Sequence, residues 1–225
     1  VTWTGFSTRA RVIVYDPLRV KAADVATYEQ LADPKLKGLL CTRSGSHPYN
    51  LSLFATVVER LGDAKGEAWL KGMVDNMARS PKGGDTDQIR AVAAGECGVA
   101  LANSYYIARL MRSDKAEDRK VMASVGIVWP NQATTGTHVN ISGGGMLKNA
   151  PHKQAAVKFL EYLASDQAQI YFADGNNEWP VVTGVKISNP ALEQMGKFKP
   201  ESLNVGVLAK NQNEVQKIYD RAGWQ

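Results

Sequence analysis

Three short apolar runs, 9-RARVIVYD-16, 37-KGLLCTR-43 and 98-GVALAN-103, are separated by stretches whose apolar residues recur at helical spacing. Leu51, Phe54, Val57, Val58 and Leu61 fall on one helical face, and Trp69, Met73, Val74 and Met77 on another. The order strand, helix, strand, helix, helix, strand, helix restricts the chain to an α/β architecture and predicts a sheet with largely parallel strands. A short helix within 24–38 ends at Pro34. Ser46 is placed to cap the helix after 44-SGSHPYN-50, with Pro48 in its first turn, where a missing N–H costs nothing. Past 125-VGIVWPN-131 come a Gly-rich stretch, 141-ISGGGML-147, helices over 152–165 and 166–175, an extended segment at 177–185 and a closing helix over 211–224. Residues 13–129 read as one lobe, and residues 1–12 and 130–225 as belonging to another.

No run of about 18 apolar residues occurs, so no membrane-spanning helix is expected. The opening VTWTGF carries no initiator methionine and no leader, which suggests a mature or trimmed product. The net charge of +5 invites a nucleic-acid reading, but lysines and arginines are interleaved with acids and form no aromatic-laced basic cluster. Nucleic acid is therefore not expected as a partner. Cys41 and Cys97 each lie in a short apolar strand and read either as a disulfide between neighbours or as two buried thiols.

The unusual local feature is 95-GECGVALANSYYIARL-110, a strand that runs straight into Tyr105 and Tyr106. Adjacent side chains point to opposite faces of a strand and lie about 100° apart on a helix, so two phenols converge only where the backbone changes direction. In open α/β sheets ligands bind beyond the carboxyl ends of strands. The polar groups there include Arg9, Arg11, Ser44, Gly45, Ser46, Tyr49, Asn103 and the tyrosine pair. Ser44-Gly45-Ser46 ahead of a helix offers amides and hydroxyls at the positive end of a helix dipole, which suits an anion, although turn-and-cap chemistry explains such a tripeptide as well. A phenol ionises near pH 10, so tyrosines serve as anionic ligands only beside a strong positive charge. Phenolate with an anion partner suits ferric iron better than zinc or copper, and calcium would want carboxylates. His47 and His138 are candidates for acid–base work, yet no GxSxG, HExxH, Walker loop or GxGxxG accompanies them, so no enzyme is expected.

These residues resemble the periplasmic ferric-ion-binding proteins of bacterial ABC importers. The likeness rests on RARVIVYD, LCTRSGSHPYN, GECGVALANSYYIARL and HVNISGGGMLKNAPHKQAAVKFLEYLASDQAQIYFADGNNEWPV, and so covers essentially the whole chain. It implies an α/β, two-lobed, transferrin-like binding protein of type II, with an interlobe cleft and with the N-terminal part of one lobe missing from this chain. It implies Tyr105 and Tyr106 as Fe³⁺ ligands and Tyr49 as a third. It also implies a synergistic anion held by Arg9 or Arg11 and supported by Ser44, Gly45 and Ser46. Carbonate or bicarbonate is expected ahead of phosphate, for which Asn103 would be an anchor. A Cys41–Cys97 disulfide, a periplasmic location, an inner-membrane ABC permease as partner and a monomeric state follow from the same likeness. The alternative is a binding protein of this fold for an anion or a small organic cation, with tyrosines as aromatic walls.

Overall fold

The computed structural model describes residues 3–204 and 206–224. In chain order these form β1 (Trp3–Tyr15), β2 (Leu40–Cys41), α1 (Pro48–Leu61), α2 (Asp63–Asp75), α3 (Asp85–Ala93), β3 (Val99–Asn103), α4 (Ser104–Met111), α5 (Ala116–Ser124) and β4 (Gly126–Val128). There follow β5 (Val139–Gly145), α6 (Lys153–Leu163), α7 (Asp166–Asn176), β6 (Trp179–Pro180), α8 (Pro190–Met195) and α9 (Gly206–Ala222). No helix among the described residues is long and apolar enough to cross a membrane.

The chain divides into two compact units. One holds residues up to Arg9 with Val139–Lys197; the other holds Ala10–His138 and the chain from Phe198 onward. This differs from the expected division. The segment after 197 returns to the tyrosine-bearing unit because α9 is amphipathic and buries Val215, Ile218 and Tyr219 there. The ends of the expected lobes at Val1, Thr2 and Gln225 lie outside the described residues.

In the larger unit the strand order is β2-β3-β1-β4. Only β2 and β3 are parallel; β1 runs antiparallel to β3, pairing Arg11 with Asn103 and Tyr15 with Val99, and antiparallel to β4. The expected largely parallel sheet is therefore a mixed one. A parallel pair needs a crossover helix, and α1 to α3 supply one between β2 and β3. Between β1 and β2 the chain makes only 3₁₀ turns, Ala22–Val25, Glu29–Ala32 and Pro34–Leu36, in place of the expected helix. Phe54 anchors the core of this unit, with ring centroids 4.6 Å from Trp69, 4.9 Å from Tyr219 and 5.0 Å from Trp224. Leu53, Leu70, Met73 and Ile218 fill the space around it. Each fully buried side chain of this size contributes about 1.5–3 kcal/mol of transfer free energy. Cys41 and Cys97 form a disulfide with Cα atoms 5.8 Å apart, joining β2 to a position two residues ahead of β3.

In the smaller unit the first half of β1 pairs with β5 and, through Ser7 and Thr8, with β6. Gly143 lies so close to Trp3 that an added Cβ would be 2.3 Å from its ring, which explains part of the Gly-rich stretch. Gln169 donates to the carbonyls of Phe6 and Leu163 and accepts from the amides of Val181 and Val182. Helix α6 buries none of its side chains, and Phe159 and Tyr162 are exposed.

Candidate metal centre

Three tyrosines meet in the larger unit. Strand β3 is buried along its whole length and ends at Asn103, so Ser104 begins α4 and Tyr105 and Tyr106 occupy its first turn. Their rings lie 4.3 Å apart at 30°. Helix α1 starts with Pro48 at its first position, and its cap is His47, not Ser46: Nδ1 of His47 accepts the Tyr49 N–H at 3.3 Å. Imidazole replaces hydroxyl there because Ser46 Oγ is 2.9 Å from Ser44 Oγ and bonds back into the loop. The phenolic oxygens of Tyr49 and Tyr105 are 2.7 Å apart.

Arginines surround the phenols. The guanidinium of Arg43 lies 5.1 Å and that of Arg11 5.8 Å from the Tyr49 ring centre. Arg109 lies 5.9 Å from the Tyr105 ring and 5.4 Å from the Tyr106 ring. Burial, followed by the hydrogen bonds to Tyr106 and Tyr49, pushes the Tyr105 phenol far above its ordinary range. A phenol so placed stays protonated at neutral pH. Among the described residues no group of three or more His, Cys, Asp and Glu could hold a metal.

The expected anion residues fall into three situations. Arg9 belongs to the smaller unit, where Nη1 donates to Ser142 Oγ and lies 4.0 Å from Glu178. Arg11 is buried in the larger unit: Nη1 meets Asp85 at 2.5 Å and Asn103 Oδ1 at 3.0 Å, and Nη2 meets Asn50 Oδ1 at 2.9 Å. Asn103 is thus turned toward Arg11, and its N–H donates to Asp85 at 2.7 Å. Ser44 and Ser46 stay beside the start of α1, while Gly45 is pressed against Trp224 and Tyr219, where an added Cβ would be 2.7 Å from each ring. The sequence reading missed Asp85, Arg43, Arg109 and Asn50. Asn50 donates to Thr42 Oγ1 and to the carbonyls of Arg43 and Ser44, fixing the loop before α1. Two residues past the disulfide, Arg43 was legible as a charge at a strand end; the others gave no local signal.

The His138 ring is engaged by Ser52 and Glu201. It is fully buried, with Nε2 3.2 Å from Ser52 Oγ and Nδ1 3.3 Å from Glu201. Burial lowers its pKa against the pull of Glu201. Glu201 pairs with Arg60, and Arg60 with Glu29 at 3.2 Å.

A family model described as bacterial extracellular solute-binding protein matches residues 1–200. The chain is 49% identical over 225 residues to iron uptake protein A2 of Synechocystis sp., covering 99% of this chain and 65% of that protein. It therefore spans less than two thirds of that curated relative's length. A solved Trichodesmium structure, in complex with iron and citrate ligands, is 53% identical, with a TM-score of 0.93 over 99% of this chain and 70% of that one. The ferric binding protein from Campylobacter jejuni is 38% identical, with a TM-score of 0.94 over 99% of this chain and 71% of its own.

Proposed function

This chain belongs to the family of bacterial extracellular solute-binding proteins, and we propose that it binds ferric iron in the periplasm and delivers it to an ABC importer. The 2.7 Å approach of Tyr49 to Tyr105, with the Tyr106 ring tilted against that of Tyr105, carries this reading. Two oxygens held that close by one proton become a chelating pair once both are ionised, and a small trication is what ionises them at neutral pH. Hard phenolate oxygens suit Fe³⁺. The likeness to the Synechocystis, Trichodesmium and Campylobacter proteins supports the same metal.

Three phenolates neutralise the ion's formal charge, and an anion fills further positions. The amides at the start of α1 and the hydroxyls of Ser44 and Ser46 are suited to seat it. Carbonate or bicarbonate is the anion the family likeness implies; at Asn103 the side-chain oxygen accepts from Arg11 and the backbone N–H donates to Asp85. An organic cation is a poor guest for these rings, since guanidinium groups already lie over all three. No step in this reading is a turnover, so the protein carries rather than catalyses. Equilibrium dialysis of metal-free protein against ferric nitrilotriacetate tests the proposal. Stoichiometric uptake that Tyr106→Phe abolishes is expected, and equal uptake by that variant would remove the ligand assignment.

A further inference from the structure

We propose that Asp85 is the positioning residue of the tyrosine cluster, an inference that rests on the ferric reading above. Asp85 is the first residue of α3 and has no solvent exposure. A carboxylate so buried is strongly destabilising unless several donors meet it. Here three do, from three separate segments. Oδ2 takes Arg11 Nη1 at 2.5 Å and the Asn103 N–H at 2.7 Å, and Oδ1 takes Arg43 Nη1 at 3.2 Å.

Each donor leads to a tyrosine. Arg43 lies against the Tyr49 ring, and its backbone is part of the loop that enters α1. Arg11 lies on the same ring and holds Asn50, the residue after Tyr49. Asn103 is the last residue before the turn that carries Tyr105 and Tyr106. One buried carboxylate therefore fixes the approach of α1 to α4, and with it the Tyr49–Tyr105 contact.

The test compares wild type, Asp85→Asn and Arg43→Met by ferric nitrilotriacetate titration and by the near-UV circular dichroism of the metal-free proteins. The amide of Asp85→Asn keeps the shape but turns an N–H₂ toward existing donors. Iron affinity is expected to fall about 10- to 100-fold, with an altered tyrosine signal that disappears as a difference when both proteins also carry Tyr49→Phe. Arg43→Met leaves the buried Arg11–Asp85 pair intact and is expected to lose less affinity in the same direction; it carries the test if Asp85→Asn does not fold. Unchanged affinity in both folded variants overturns the inference. If wild type itself takes up no iron, the ferric reading falls, and the metal-free spectra alone decide on Asp85. A tyrosine signal identical in Asp85→Asn and wild type then overturns its role, and one altered through Tyr49 upholds it.

Discussion

The phenolic oxygens of Tyr49 and Tyr105 lie 2.7 Å apart across 56 residues of sequence. One proton sits between them, and the first consequence is a count. Phenols titrate near pH 10, and burial raises Tyr105 further. Ferric loading at pH 7 is expected to release about three protons per ion from the tyrosine cluster. Tyr49→Phe should lower that count by about one, measured by pH-stat or by calorimetry in buffers of different ionisation enthalpy. A release that is the same in the variant would take Tyr49 out of the ligand set.

The alkaline limb of stability follows from buried phenols. Tyr28 is fully buried, with its hydroxyl donating to the Arg11 carbonyl at 2.5 Å, and burial raises its pKa well above the ordinary value. Tyr219 and Tyr105 are raised by burial as well. A group that holds its proton more tightly when folded contributes stability present below the unfolded pKa and lost above it. Metal-free protein should therefore hold its stability from about pH 7 up to about pH 10 and weaken beyond it. Urea midpoints across that range check this, and Tyr28→Phe should flatten the fall.

The acid limb reads His138. Burial lowers its pKa below the ordinary value, so between that value and the folded one the unfolded chain binds the extra proton. Stability is expected to drop as pH falls below about 6.5. Burial raises the Glu201 pKa, but the His138 hydrogen bond and Arg60 together outweigh it and hold it below the ordinary value, which adds a further loss as pH falls below its ordinary range. His138→Gln keeps a donor and acceptor at the ring positions and should remove the first of these two losses. An unchanged profile between pH 7 and 5 in that variant would place the titrating group elsewhere.

The disulfide closes a loop with a sequence separation of 56 at the root of both tyrosine-bearing segments. Chain-entropy arithmetic gives about 4 kcal/mol for a loop of that size. Cys41→Ala with Cys97→Ala is expected to lose most of that in chemical denaturation. Because both sulfurs are buried, reductant added to the native protein should have no effect until denaturant opens it.

The meeting of the three tyrosines was legible because its signals are local. Tyr105 and Tyr106 stand out where an apolar strand meets a helix, and Tyr49 follows a proline at a helix start. Asp85 was hidden because 85-DTDQ-88 reads as ordinary helix-capping sequence, and its partner Arg11 lies 74 residues away. Arg9 and Arg11 share one face by strand period, yet the chain passes from one unit to the other between Arg9 and Ala10, so they serve different networks. The antiparallel pairing of β1 and the return of α9 are long-range choices. Both depend on which apolar faces remain to be covered, and strand-and-helix order does not record that.

The central claim is tested most directly by the visible spectrum of metal-free protein on addition of ferric nitrilotriacetate, with and without bicarbonate. The account predicts a red-orange phenolate-to-iron charge-transfer band that bicarbonate strengthens and Tyr105→Phe diminishes. A folded protein that develops no such band would contradict tyrosinate ligation and leave the cluster as the wall of an anion-binding site.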